Sequence, residues 1–142
     1  MKIIYTGIFL GKSEMDLLKE LEGLKGLQFN SAVPHCTLQF RPSTKQVSDL
    51  PLGKAVEVRV IGVGCSDRVA AVKVALGPEL QAHFGGKVPH VTLWVAPGAK
   101  PVEAGELNFQ PLSKQGISVF GRVGVWKAPG EISYGRLDLP IG

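Results

Sequence analysis

Histidine and cysteine are scarce in this sequence, which contains three histidines and two cysteines among 142 residues. Cys36 and Cys65 form neither a CxxC unit nor a disulfide framework, so we expect two free thiols in a cytoplasmic protein. No apolar run approaches the roughly 20 residues that a membrane-spanning helix needs. The apolar stretch over residues 3–10 alternates like a strand and lacks a cleavage signal, so we expect neither a signal peptide nor a membrane partner.

Charged residues make up 20% of the chain, and lysine and arginine form no long run. The formal net charge of +4 and the pI near 9.2 favour an anionic ligand such as a phosphate or a nucleic acid. A length of 142 residues fits one domain or two small, closely packed lobes. We expect a monomer whose single domain covers residues 1–142.

Short apolar runs separated by glycine and proline predict an α+β fold with mainly antiparallel strands. The predicted strands cover residues 1–10, 35–41, 55–63, 69–76, 90–96, 116–126 and 132–139. Two helices are predicted, over residues 13–26 and 78–84. Ser13 resembles a helix N-cap and Gly26 a helix stop, with leucines along one face between them. Residues 42–54 and 97–111 are predicted to be loops that shape access to the site.

One segment of the sequence occurs twice. Residues 29–38 read FNSAVPHCTL, and residues 84–93 read FGGKVPHVTL, with six identical positions at a constant offset of 55 residues. Two of the three histidines therefore occupy the same local context, each preceded by Val-Pro and followed by x-Thr-Leu. This repetition predicts a duplicated unit and one site built from both copies.

The His-x-Thr spacing on a strand places an imidazole and a hydroxyl on the same face, because alternate residues share a face. His35 and Thr37 form one such pair, and His90 and Thr92 form the other. If a pseudo-twofold axis relates the copies, both pairs can face one cleft. A neutral imidazole can then accept a proton, a protonated imidazole can donate one, and the hydroxyls can hold phosphate oxygens. This chemistry suits phosphoesters and requires no metal or other cofactor.

The paired HCTL and HVTL segments, each preceded by Val-Pro, resemble the motifs of the two-histidine (2H) phosphoesterase superfamily. That superfamily includes LigT-type RNA 2′,5′ ligases and 2′,3′-cyclic nucleotide phosphodiesterases. The resemblance implies a bilobal α+β fold with internal pseudosymmetry around a central cleft. It also implies that His35 and His90 are the general acid and base, in an order the sequence does not fix, and that Thr37 and Thr92 bind phosphate.

Several further residues are candidates for contacts with a base, ribose or phosphate. Trp94 lies four residues after His90 on the same strand face, where it could stack on a base or equally well pack against the protein. Tyr5 on the first strand, Phe84 at the start of the second repeat and Lys87 before His90 are weaker candidates. Cys36 should face away from the site, which argues against a cysteine nucleophile.

The expected activity is hydrolysis of 2′,3′-cyclic phosphates of nucleotides or RNA ends without a metal. Three alternatives remain open at this stage. The first is hydrolysis of cyclic oligonucleotide or 2′,5′-oligoadenylate signals, and the second is RNA 2′,5′ ligation. The third is a nucleotide-binding module without catalysis, for which loss of a motif histidine would be typical. The sequence retains both motif histidines.

Overall fold

The computed structural model describes residues 2–21, 23–31, 33–112, 116–128 and 130–135. In that part of the chain the fold is α+β, and every strand pairing is antiparallel, as the sequence predicted. The strands are β1 (Ile3–Leu10), β2 (His35–Phe40), β3 (Ala55–Cys65), β4 (Val69–Ala75), β5 (His90–Val95), β6 (Gln110–Pro111), β7 (Ile117–Lys127) and β8 (Glu131–Ser133). The part of the predicted last strand beyond residue 135 lies outside the described residues.

The strands form one sheet in the order β6-β3-β4-β5-β2-β1-β7-β8, and an additional β3–β7 pairing closes six of them into a barrel. Closure depends on two long strands of 11 residues each. Ala55–Val60 of β3 pair with β7, whereas Gly62 and Val63 pair with β6. The prediction of two lobes around a central cleft is therefore wrong, because the strands of both repeats belong to one continuous, closed sheet.

The helices are shorter than predicted. Helix α1 covers Lys12–Leu18, and its N-cap is Gly11 rather than Ser13. Hydrogen bonds of the i→i+3 type follow, and Gly23 adopts a φ of +90°, so the chain leaves the α-helix well before the predicted end at residue 26. Helix α3 covers only Pro78–Gln81.

The two predicted loops contain helical turns. Helix α2 covers Thr44–Ser48 and begins with a capping box in which Ser43 and Gln46 satisfy each other's backbone N–H groups. A 3₁₀ helix covers Pro101–Glu106. The proline and polar residues in both segments predicted loops. In the structure, such residues stand at helix starts, with Ser43 as the N-cap of α2 and Pro101 as the first residue of the 3₁₀ helix.

One face of the strands forms the hydrophobic core. The largest core cluster joins alternate residues of β1–β5 and β7 with leucines of the α1 region, α3 and the turn after α2. Cys36 lies in this core and Cys65 is exposed, and both are free thiols. Burial raises the pKa of the Cys36 thiol to about 12, so it stays protonated and is no nucleophile. The opposite face of β1, β2, β4 and β5 carries the motif side chains.

Candidate active site

The two repeated motifs lie on neighbouring strands. Strands β2 and β5 run antiparallel, with Cys36 opposite Val91. Both of these residues are fully buried, as are the two motif leucines, Leu38 and Leu93. The histidines and threonines alternate with them and therefore project from the other face, where they are half-buried.

The four motif side chains form a compact group on that face, which we call the His–Thr quartet (His35, Thr37, His90 and Thr92). Continuing the register from the Cys36–Val91 pair places His35 opposite Thr92 and Thr37 opposite His90. Side chains directly opposite each other start about 5 Å apart and diagonal ones about 7–8 Å apart. Each imidazole thus lies beside the hydroxyl of the other motif, and the two imidazoles lie on a diagonal that a phosphate group can bridge.

The Val-Pro-His sequence fixes the orientation of both imidazoles. The Nδ1 atom of His35 lies 2.7 Å from the carbonyl oxygen of Val33, and that of His90 lies 2.8 Å from the carbonyl oxygen of Val88. A carbonyl oxygen can only accept a hydrogen bond, so Nδ1 carries the proton in both rings. The intervening proline fixes φ and keeps the preceding residue extended, which holds the carbonyl in place. In the neutral rings Nε2 is therefore the free base.

The prolines of the two motifs also make equivalent contacts with the neighbouring strands. The carbonyl of Pro34 accepts from the backbone N–H of Leu10 at 3.0 Å, and that of Pro89 accepts from Val74 at 3.0 Å. The register shifts at the same relative place in both strand pairs, between residues 6 and 7 of β1 and between residues 70 and 71 of β4. The sequence repeat thus corresponds to a repeat of local structure.

The segments that lead into the motifs hold the two strands together reciprocally. Asn30, before the first motif, donates its backbone N–H to Leu93 on β5 at 3.1 Å. Gly85, at the equivalent place before the second motif, donates to Leu38 on β2 at 2.9 Å. Each copy therefore binds the strand of the other copy, which stabilises the relative position of the two histidines.

Aromatic rings surround His35. The ring of Tyr5 stacks on the imidazole with a centroid distance of 4.6 Å, and Phe9 lies at 5.8 Å. Trp126 stacks on Tyr5 with a centroid distance of 6.0 Å. Burial raises the pKa of Tyr5 to about 12, so its hydroxyl, 3.4 Å from Nδ1 of His35, stays protonated. Tyr5 was a candidate from the sequence, whereas the contribution of Trp126, 121 residues along the chain, had no local signal.

The electrostatics of His35 connect the two motifs. Burial lowers the pKa of its imidazole below the usual 6.5, the hydrogen bond to Val33 raises it, and the charge of protonated His90 lowers it. The last effect requires the two imidazoles to be close in space. The combined effect is a pKa of His35 below that of a free imidazole.

Different groups surround His90. Lys73 on β4 lies directly opposite it in the ladder. Gly105 of the 3₁₀ helix approaches so closely that a methyl group there would lie 3.3 Å from Cε1 of the imidazole. Neither residue is among the candidates predicted from the sequence. A lysine among six apolar residues of VAAVKVA, on the face away from the core, is the signal that could have identified Lys73.

The 3₁₀ helix is held by a bidentate ion pair. The Nε and Nη2 atoms of Arg68 lie 2.6 and 3.1 Å from the carboxylate oxygens of Glu103, which also accepts from the backbone N–H of Lys100. The Arg68 hydrogen bonds hold the pKa of Glu103 down at about 2. Glu103 therefore stays ionised at ordinary pH values, and the pair links the loop before β4 to the 3₁₀ helix that carries Gly105.

The remaining candidates lie around the site rather than within the quartet. The side chain of Trp94 is half-buried and makes no ring contact or hydrogen bond with any residue that the structure describes. The ring of Phe84 packs over Gly86, so closely that a methyl group added to Gly86 would lie 2.9 Å from the ring. Lys87 is exposed and has no ion-pair partner among the described residues. The structure therefore shows none of these three residues in contact with the motif histidines.

The quartet leaves its polar atoms available. Within the described ranges, neither threonine hydroxyl and neither histidine Nε2 has a hydrogen-bond partner. Over the same ranges, no group of three or more His, Cys, Asp or Glu side chains is placed to hold a metal ion. None of the helices that the structure describes has the length and apolarity to span a membrane.

No protein-family model matches this chain, and no curated protein matches it.

Proposed function

We propose that this protein is a phosphodiesterase that hydrolyses 2′,3′-cyclic phosphates of nucleotides or RNA ends by two-histidine acid–base catalysis without a metal. The observation that carries the proposal is the His–Thr quartet, in which two imidazoles with free Nε2 atoms flank two free hydroxyls. The resemblance of the repeated motif to the 2H phosphoesterases supplies the substrate class. A cytoplasmic location and a monomeric state belong to the same proposal.

The reaction needs two proton transfers, and the quartet has a group for each. A neutral imidazole accepts a proton from water as the water oxygen attacks phosphorus. The bond from phosphorus to one ribose oxygen then breaks, and the protonated imidazole donates its proton to that oxygen. The product is a phosphomonoester beside a free ribose hydroxyl, and exchange with solvent restores both imidazoles.

The surroundings of the two rings favour one assignment of roles. Because burial and the neighbouring charge lower the pKa of His35, this ring is neutral near pH 7 and suits the base. The acid role then falls to His90. Thr37 and Thr92, beside the opposite imidazoles, donate hydrogen bonds to the non-bridging oxygens and stabilise the charge that develops on them.

The aromatic group beside His35 suits a nucleobase. Tyr5 and Trp126 are half-buried and stack on each other, with Tyr5 next to the imidazole, whereas Phe9 is buried and closed to a ligand. Stacking of a base on an aromatic side chain contributes about 1–3 kcal/mol and tolerates any base. We therefore expect binding of nucleotides with weak base preference.

A substrate panel in the presence of EDTA tests the proposal. It contains the four 2′,3′-cyclic nucleotides, a short RNA with a cyclic-phosphate end, 2′,5′-oligoadenylate, and cyclic di- and trinucleotides, with products identified by mass spectrometry. Turnover of the 2′,3′-cyclic phosphates with EDTA present supports the proposal. Turnover restricted to cyclic oligonucleotides or 2′,5′-oligoadenylate replaces it with degradation of such signals. Nucleotide binding without turnover of any compound replaces it with a binding module.

RNA 2′,5′ ligation uses the same groups with a ribose hydroxyl in place of water. A parallel reaction that contains the cyclic-phosphate RNA and a second RNA with a free 5′-hydroxyl end distinguishes the two activities. Joined product in excess of hydrolysis would identify a ligase.

A further inference from the structure

Lys73 is placed to bind an anion next to His90. It lies opposite His90 across the β4–β5 ladder, where paired side chains start about 5 Å apart and project from the same face. On its other side Lys73 is opposite Gly62 of β3, which has no side chain. The lysine is half-buried, and its position in β4 is the one interruption of an otherwise apolar strand.

Lys73 has no counterion among the residues that the structure describes. No carboxylate lies within ion-pair distance of its ammonium group among the residues that the structure describes. Its neighbours in the sheet are the imidazole of His90 and the backbone of Gly62. A bound phosphate would supply a counterion for this ammonium group and form a charge-assisted hydrogen bond with it.

The equivalent position in the other repeat is different. Phe9 lies opposite His35 in the same way that Lys73 lies opposite His90. The next residue in each strand, Leu10 or Val74, donates its backbone N–H to the carbonyl of the motif proline. The repeated scaffold thus places an aromatic ring beside one catalytic imidazole and an ammonium group beside the other. A substrate that matches this asymmetry has a second phosphate on the His90 side of the scissile phosphate, within reach of Lys73.

We propose that Lys73 binds a second phosphate of the substrate and thereby selects oligonucleotide ends over mononucleotides. This inference rests on the proposed function, because it assigns a specificity role at the same site. The phosphate in question is the linkage 5′ to the nucleotide that carries the cyclic phosphate. A 2′,3′-cyclic mononucleotide with a 5′-hydroxyl lacks that group.

Three substrates with the same reacting end test the inference. The first is adenosine 2′,3′-cyclic phosphate, and the second is the adenylyl-adenosine dinucleotide with a 2′,3′-cyclic phosphate end. The third is that dinucleotide with an uncharged methylphosphonate linkage. We expect the wild type to prefer the charged dinucleotide over both others in kcat/KM by about 10-fold or more, the size typical of a hydrogen bond to a charged group.

Lys73→Met should remove this preference, so that kcat/KM for the charged dinucleotide falls to the value for the methylphosphonate dinucleotide, whose linkage carries no charge for the ammonium group to bind. Lys73→Arg should keep most of the preference. The slope of log(kcat/KM) against log salt concentration for the charged dinucleotide should become shallower by about 0.7 in Lys73→Met, as expected when one phosphate of a single strand is no longer neutralised. Lys45→Met, which removes a lysine paired with Asp49 on α2, is the matched control for removal of one positive charge.

The outcomes separate the two claims. Turnover of all three substrates with equal kcat/KM, unchanged by Lys73→Met, would overturn the role of Lys73 and leave the phosphodiesterase standing. An equal loss on all three substrates in a folded Lys73→Met variant, verified by circular dichroism, would also overturn it, since the lysine would then act at the scissile phosphate. Absence of turnover on every substrate in the wild type would overturn the proposed function and this inference with it.

Discussion

Replacement of Gly105 by alanine should impair catalysis without loss of stability. The added methyl group would lie 3.3 Å from Cε1 of His90 and 3.9 Å from Nδ1. A contact this tight requires the neighbour to move by a few tenths of an ångström. The imidazole cannot move away without strain on its hydrogen bond to Val88, which is 2.8 Å long.

The expected loss of activity follows from that displacement. A misplacement of 1 Å in an active site can cost about 100-fold in rate, so a shift of a few tenths should lower kcat roughly 3- to 10-fold. Stability should change little, because Gly105 is not one of the glycines with positive φ. Alanine also restricts the unfolded chain, which contributes about 0.4–1 kcal/mol in favour of folding and offsets part of the contact strain.

Steady-state hydrolysis of a 2′,3′-cyclic nucleotide and urea denaturation measure the two effects separately. Gly77→Ala is the matched control, because a methyl group there would have no atom within 4 Å. Wild-type kcat in Gly105→Ala would refute the reasoning, since the 3₁₀ helix would then not constrain His90. A loss of kcat that only parallels a loss of folded protein would refute it equally.

Three further predictions concern pH and stability. The pKa of His35 in the folded protein is below the unfolded value of 6.5, so the unfolded chain binds more protons as the pH falls from 6.5 toward the lowered pKa. The free energy of unfolding should therefore decrease over this pH range. In His35→Gln, denaturation curves should show a smaller decrease over the same range. Ser43→Ala removes a capping box and should lower the free energy of unfolding by about 1 kcal/mol, with kcat unchanged. Glu103→Gln should weaken the Arg68 pair, lower the protection of the 3₁₀ helix from amide hydrogen exchange and lower kcat. Because the pKa of Glu103 is about 2, the protection of this helix in the wild type should not fall when the pH is lowered from 7 to 4. The first prediction is contradicted if the pH dependence of stability persists in His35→Gln. The second is contradicted if Ser43→Ala unfolds at the wild-type midpoint, and the third if amide exchange in Glu103→Gln is as slow as in the wild type.

Local patterns in the sequence predicted the local structure well. Alternation of apolar residues identified the strands that carry the motifs, since the period of two is set by the backbone alone. The same period placed Cys36 and Leu38 in the core and His35 and Thr37 on the opposite face. The repeat at an offset of 55 residues also anticipated that the two histidines lie close together.

Long-range pairing was not predictable in the same way. Closure of the barrel depends on the pairing of β3 with β7, which are separated by about 60 residues, and no local pattern specifies that choice. The bilobal expectation failed for this reason. Helix α1 ends at Leu18, whereas the leucines beyond it continue the apolar periodicity into turns that pack on the core, and Gly23 and Gly26 adopt left-handed conformations there.

The residues next to the histidines could not be predicted either, because they come from distant parts of the sequence. Lys73 and Gly105 come close to His90 only through the β4–β5 register and the docking of the 3₁₀ helix. Tyr5 could be proposed from its strand, but its stacking with Trp126 depends on the β1–β7 pairing. The surroundings of the two histidines therefore differ through residues that lie outside the repeated segments.

The most direct test of the central claim is a double-mutant cycle on His35 and His90. Hydrolysis of the best 2′,3′-cyclic phosphate is measured for the wild type, His35→Ala, His90→Ala and the double variant, with EDTA present. Each single variant should lose about 10²- to 10⁴-fold in kcat, as expected for removal of a general acid or base. The double variant should lose little more, because the two groups act as a unit. Turnover that survives either single substitution at the wild-type rate would contradict the account.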